Sequence, residues 1–169
     1  AGVLGVTFFS SDGSVRIVVS DDLEADARKN RISELRLRTT QAHELGHVAL
    51  HKELYVDATP SMFDEPTPEP MLCREEGFAA GSYSGEWWEF QANSAMAALL
   101  MPRADFIASS ADWAKKNSVA SPASARDARE HGRYIAQIAE LFHVSKEAAR
   151  IRADGMSMGF RTGQGQLGL

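Results

Sequence analysis

Residues 39–51 read TTQAHELGHVALH, and this stretch decides how the rest of the chain is interpreted. It contains His43, Glu44 and His47 in the order H-E-x-x-H, with no proline to interrupt a helix. Histidines four residues apart lie one above the other on a helix face, so both rings can reach one ion. A glutamate between them can act on a water held by that ion. The pattern predicts a metal site with two histidine ligands and Glu44 as general base.

Gly46 stands in the middle of this helix, where glycine costs about 1 kcal/mol relative to alanine. A close approach of another backbone beside the site would explain that cost. The alternative interpretation of the stretch is an ordinary amphipathic helix whose histidines are simply hydrogen-bonded.

The composition describes an ordinary globular protein with room for one sizeable core. The chain has 169 residues, of which 44% are hydrophobic and 24% charged, and a formal net charge of −5. That charge gives no attraction to nucleic acid or anionic lipid. A single cysteine excludes an internal disulfide, and no apolar run is long enough to span a bilayer. With no targeting signature at its start, AGVLGVTFF, we expect the chain to be cytoplasmic.

The secondary structure follows from periodicity and turn signals. Val3–Phe9 and Val15–Val19 are β-branched and aromatic runs joined through Asp12-Gly13, which predicts an antiparallel hairpin. Thr39 or Thr40 is a possible cap of the H-E-x-x-H helix. Helical periodicity predicts further helices over residues 23–35, 86–100, 103–115, 121–142 and 146–152. The core side of the helix over residues 86–100 is expected to carry Trp87, Phe90, Met96, Leu99 and Leu100.

The segment from residue 57 to 85 breaks the helical pattern. Four prolines lie between residues 57 and 71, too many for a helix or an inner strand, so we expect an exposed loop. The loop could serve as a lid or a substrate-facing flap, or have no role. Cys73, within it, is either a small buried hydrophobic residue or a ligand that fills the open metal position.

A catalytic zinc needs a third protein ligand and one open position. No histidine stands at the short spacing that would supply it, so we expect a carboxylate from the helix over residues 86–100. Glu89 is the candidate and Glu86 the alternative. Asn93 falls on the same face as Glu89 and can hold one ligand histidine from behind. His51, one turn after His47, is either a similar supporting residue or a packed side chain.

An oxyanion-stabilising donor is also needed, and the sequence does not choose among the candidates. They are Tyr83, His131, Arg133 and Tyr134. The ligand set of two histidines and a carboxylate suits Zn²⁺ and also accepts Mn²⁺ or Fe²⁺.

Four segments together resemble the ImmA/IrrE family of bacterial metallopeptidases, which are gluzincin-like zincins. They are HELGHVALH, CRE, EFQANSAMAALLMP and FHVSKEAARIR, and the resemblance spans residues 31–152. It implies that His43, His47 and Glu89 bind the metal and that Glu44 is the catalytic acid/base. It further implies an intracellular endopeptidase whose protein substrate is a helix-turn-helix repressor in a stress-response or mobile-element circuit.

We therefore expect an α+β fold with a small, mostly antiparallel sheet against the active-site helix. Residues 1–116 form a zincin-like core, residues 117–154 a helical subdomain resembling a helix-turn-helix, and residues 155–169 a glycine-rich tail. The alternative function is a DNA-binding regulator with a structural or sensory metal site, because residues 135–152 have helix-turn-helix spacing. The negative net charge argues against it.

Overall fold

The computed structural model describes residues 2–10, 13–56, 69–74 and 87–157. Within these segments lie a three-stranded antiparallel sheet, six α-helices and one short 3-10 helix. The fold is α+β, as the sequence predicts. None of the described helices has the length and the apolar composition that crossing a membrane requires.

The N-terminal hairpin is confirmed. Strands β1 (Val3–Phe9) and β2 (Val15–Val19) pair antiparallel, with Thr7 opposite Ile17. Gly13 has a φ of 80°, a conformation that a residue with a side chain rarely adopts. The Asp-Gly turn signal therefore identified both strands correctly.

A third strand corrects the expectation of a continuous loop over residues 57–85. Strand β3 (Glu69–Arg74) pairs antiparallel with β1, so the strand order is β2-β1-β3 and β1 is central. Pro70 is tolerated because β3 is an edge strand, which can lack a backbone N–H donor. The remainder of that loop, with Tyr83 and Glu86, lies outside the described residues.

The first predicted helix divides into two. Helix α1 spans Asp21–Ala27, with Ser20 as its cap, and helix α2 spans Arg31–Val56. The predicted continuous helix over residues 23–35 was wrong because Asn30 starts a new helix by accepting a hydrogen bond from the Ser33 N–H at 2.9 Å. Thr39 is likewise no cap, since it lies within α2.

The remaining helices follow the predicted order. Helix α3 spans Trp87–Leu100, α4 spans Arg103–Lys116, and α6 spans Lys146–Gly155 with Ser145 as its cap. One correction concerns the segment before α6. A 3-10 helix (Pro122–Ser124) precedes α5 (Ala128–Phe142), where a single helix was predicted, because Asp127 caps a new helix.

One hydrophobic cluster joins the helices. It includes Met96 of α3, Phe106 of α4, Tyr134 and Ile138 of α5, and Ala148 of α6. The cluster contains residues from both sides of the boundary proposed after residue 116, and that division into subdomains stays a prediction.

The outer face of α3 corrects a further expectation. Its periodicity predicted a core side made of Trp87, Phe90, Met96, Leu99 and Leu100. Of these, Trp87, Phe90 and Leu99 are 55%, 48% and 59% exposed. Met96 is buried as predicted, together with Ala92 and Ala97. Small residues therefore bring α3 close to its neighbours, and its large aromatic side chains face outward.

Helices α2 and α3 pack closely at Gly46. A Cβ atom there would lie 2.8 Å from the backbone oxygen of Ala92 and 3.1 Å from its Cα. The first contact is shorter than real Cβ atoms make and the second is tighter than most, and both involve backbone atoms, so this spacing suits glycine. The expectation that Gly46 marks a close backbone approach is confirmed.

The variant Gly46→Ala tests this contact. The added methyl group meets backbone atoms, which cannot rotate away, so we expect the free energy of unfolding to fall by about 1–3 kcal/mol despite the better helix propensity of alanine. Chemical denaturation of the metal-free protein measures the change. Gly132→Ala in α5 is the matched control, because a Cβ there meets no neighbouring element within 4 Å. Equal stability of the two variants would contradict the close contact.

Candidate metal centre

Helices α2 and α3 bring three of the predicted site residues together. The Nε2 atoms of His43 and His47 are 3.0 Å apart. The two carboxylate oxygens of Glu89 lie 3.2 Å from the Nε2 atom of His43 and 3.3 Å from that of His47. These three side chains form a group whose ligand atoms all lie within 4.8 Å of one another.

The spacing of these atoms fits a metal ion. Ligand atoms bound at 2.0–2.1 Å in tetrahedral geometry lie about 3.3 Å from one another. The observed separations of 3.0–3.3 Å agree with that value. Two imidazole nitrogens and a carboxylate also match the donor set of catalytic zinc sites. The residues present therefore fit a divalent cation.

The electrostatics keep the ligands in the form that binds a cation. Burial lowers the pKa of His47 below its ordinary value, and its hydrogen bond with Glu89 offsets only part of that effect. Burial raises the pKa of Glu89, but its hydrogen bonds with His43 and His47 outweigh burial and bring the pKa down to about 2. Near neutral pH, His47 is thus uncharged and Glu89 ionised.

Both histidines also contact polar side chains through their Nδ1 atoms, which lie away from Glu89 in the ring. The Nδ1 atom of His43 lies 3.0 Å from the Asn93 Oδ1 atom. The Nδ1 atom of His47 lies 3.1 Å from the Nδ1 atom of His51, whose Nε2 atom is in turn 3.1 Å from the Gln91 Oε1 atom. The sequence pointed to Asn93 and His51. It missed Gln91, although its position between Glu89 and Asn93 was a usable signal.

Glu44 lies against strand β1. Its side chain is fully buried, and its Oε2 atom accepts a hydrogen bond from the Thr7 hydroxyl. A Cβ atom at Gly5 would lie 2.6 Å from the Glu44 Oε1 atom. Thr7 and Gly5 therefore surround the carboxylate, and sequence reasoning identified neither of them.

Three of the four candidates for an oxyanion donor, His131, Arg133 and Tyr134, lie on α5, and the fourth, Tyr83, lies outside the described residues. Tyr134 is fully buried in the core, and its hydroxyl is 2.9 Å from the Ser110 Oγ atom. The His131 ring packs 5.5 Å from the Tyr134 ring, and Arg133 is exposed on the same helix. Tyr134 thus packs in the core with its hydroxyl beside Ser110, and the identity of the oxyanion donor stays a prediction. The side chain of Cys73 lies outside the described part of the chain.

Comparison with known proteins supplies one match. The family model for peptidase family M78, described as the IrrE N-terminal-like domain, matches residues 28–154. No curated protein and no solved structure was found to match the chain. The matched residues make up most of the chain and include α2 and α3, with all three residues of the cation site. By this match the chain belongs to the ImmA/IrrE family of peptidases, peptidase family M78.

Proposed function

We propose that this protein is a metal-dependent endopeptidase that hydrolyses a peptide bond in a protein substrate. The observation that carries the proposal is the convergence of two imidazole nitrogens and one carboxylate on a single point. Lone pairs directed at one another from 3.0–3.3 Å are stable only when a proton or a cation lies between them. Membership of a peptidase family supports hydrolysis as the reaction at that centre.

Zn²⁺ is the proposed ion, held by His43, His47 and Glu89. The supporting argument is the donor set, because two histidines and one glutamate leave a fourth position open for a substrate or water. The same donors accept Mn²⁺ or Fe²⁺, and elemental analysis of the purified protein distinguishes the three ions.

In the proposed mechanism, Glu44 is the residue that moves the proton. When bound, a divalent ion lowers the pKa of water and polarises a carbonyl oxygen. Glu44 accepts the proton from the attacking water and passes it to the leaving amine. Its complete burial restricts exchange with bulk solvent, so the proton stays available for the leaving group. His43, His47 and Glu89 keep their ligand atoms in place throughout.

The substrate we propose is a helix-turn-helix repressor in the cytoplasm, as the family resemblance implies. Three aromatic side chains beside Glu89 support a protein substrate. Trp87, Trp88 and Phe90 are each about half exposed, and the rings of Trp87 and Phe90 stack at 5.3 Å. Exposed aromatic groups next to a reaction centre suit apolar side chains of a bound polypeptide.

The alternative, a DNA-binding helix-turn-helix with a structural metal, has less support. Helices α5 and α6 are joined at His143, which has a φ of 52°. However, α6 buries Ala148, Ala149 and Ala153 in the core. Its Arg150 lies 2.6 Å from Glu147, so this basic group is already paired. The formal net charge of −5 also gives no attraction to DNA.

The variants Glu44→Gln and His47→Ala separate hydrolysis from metal binding. Glu44→Gln leaves the ligands intact, so we expect full metal content and a loss of kcat of about 100-fold or more. His47→Ala removes a ligand and should lose both metal and activity. Elemental analysis and cleavage of repressors encoded near the gene measure the two effects. Retained activity in Glu44→Gln would contradict the mechanism, and metal binding without any hydrolysis by the wild type would favour the sensory alternative.

The line of contacts from His47 through His51 to Gln91 supports a positioning role for His51. If the Nε2 atom of His47 binds the ion, its Nδ1–H donates to the His51 Nδ1 atom. The His51 Nε2–H then donates to the Gln91 oxygen. Each step has the 3.1 Å length of a hydrogen bond, and His51 is 1% exposed. This chain fixes the tautomer and orientation of the His47 ring.

The variant His51→Leu breaks this chain, and we expect the Kd for Zn²⁺ to rise about 10–100-fold. His51→Asn keeps an acceptor near the original Nδ1 position, so its Kd should fall between that of His51→Leu and that of the wild type. His131→Leu, at another buried histidine in α5, is the matched control and should leave metal affinity unchanged. Competition with a chromogenic chelator gives each Kd. An unchanged Kd for Zn²⁺ in His51→Leu would contradict the positioning role and show that His51 only fills space in the core.

A further inference from the structure

Strand β1 presents an unusual inner face to α2. Its fully buried positions are Gly5, Thr7 and Phe9, so two of the three carry no large apolar side chain. Thr7 is 0% exposed, and its hydroxyl donates to the Glu44 Oε2 atom and lies 3.4 Å from the Glu44 backbone oxygen. A buried threonine hydroxyl needs a hydrogen-bond partner. Here the partner is the proposed general base.

The backbone of Thr7 is held on both sides. β1 is the central strand, and Thr7 lies opposite Ile17 of β2 and Met71 of β3. Sheet pairing on both edges makes this position more rigid than a loop residue would be. The hydroxyl thus reaches Glu44 from a fixed point.

Gly5 completes the arrangement from the same strand face. A Cβ atom there would lie 2.6 Å from the Glu44 Oε1 atom and 2.8 Å from the Thr40 Cγ2 atom. Any larger residue would displace the carboxylate or the threonine beside it. Glycine at position 5 therefore leaves the space in which the Glu44 side chain sits.

We propose that Thr7 is the positioning residue for Glu44: its hydroxyl fixes one carboxylate oxygen and so sets the orientation in which Glu44 works. The inference rests on the proposed peptidase function. Thr7 acts through Glu44 and lies outside residues 28–154, the part matched by the family model. A glutamate side chain has three rotatable bonds, and a charge-assisted hydrogen bond at its end removes much of that freedom. Catalysis depends on such orientation, since small displacements of a reacting group cost large factors in rate.

The matched variants Thr7→Val and Thr7→Ser test the hydroxyl itself. Valine has nearly the shape of threonine without the donor, so we expect kcat to fall about 10–100-fold while KM and the Kd for Zn²⁺ change less than about twofold. Serine keeps the donor and should restore most of kcat. Thr39→Val is the control, because Thr39 is also buried in the structure but donates to the Leu35 backbone oxygen at 2.7 Å. Wild-type kcat in Thr7→Val would overturn the proposal.

A second measurement does not depend on activity. In the metal-free protein, Thr7→Val is combined with Glu44→Gln, and the midpoint of denaturant unfolding is measured for all four combinations. Because a hydroxyl binds a carboxylate more strongly than an amide, we expect Thr7→Val to lower the midpoint more when Glu44 is present than when it is replaced. Thr39→Val should lower it equally in both backgrounds.

The outcomes separate the inference from the proposed function. Equal shifts for Thr7→Val in the two backgrounds would overturn the coupling between Thr7 and Glu44, whatever the activity of the protein. A wild-type protein that binds metal and cleaves no protein would overturn the proposed function, and the positioning role would fall with it. Coupled unfolding together with the loss of kcat in Thr7→Val and its recovery in Thr7→Ser supports both.

Discussion

The close packing of α2 on α3 is the constraint on which the rest of the site depends. Gly46 meets the Ala92 backbone at a distance that excludes any side chain. Because the helix axes are that close, Glu89 can reach both His43 and His47, which are held on α2. A wider spacing would leave the carboxylate near the rings but without a common point for an ion. The same close packing explains why the large aromatic residues of α3 face outward, since only small residues fit between the helices.

Local patterns in the sequence predicted the elements that local geometry determines. The spacing of His43 and His47 fixes their shared helix face, and Gly13 fixes the turn of the hairpin. The sequence also indicated Glu89 as the third candidate ligand, because it is a carboxylate near the start of a second helix. Prediction from the sequence succeeded where a feature depends on the residues of a single helix or turn.

Other features depend on contacts between distant segments, and the sequence did not reveal them. The buried positions of β1 include Gly5 and Thr7, and no pattern in the sequence marked these two residues as part of the site. Glu44 lies against these two positions, where the Thr7 hydroxyl donates to its carboxylate and Gly5 leaves room for it. β3 was missed for a related reason, because pairing with the free edge of β1 overrides the preference of proline-rich sequence for a loop.

The arrangement of the site along the chain has a consequence for a growing polypeptide. Thr7 is 37 residues from Glu44 along the chain, and Asn93 is 50 residues from His43. The ribosome therefore releases the hairpin first, the two histidines next and the third cation-binding residue last. Until α3 has emerged, the nascent protein carries an incomplete centre. The hydrolysis that we propose therefore requires the chain to be synthesised beyond α3, which supplies Glu89.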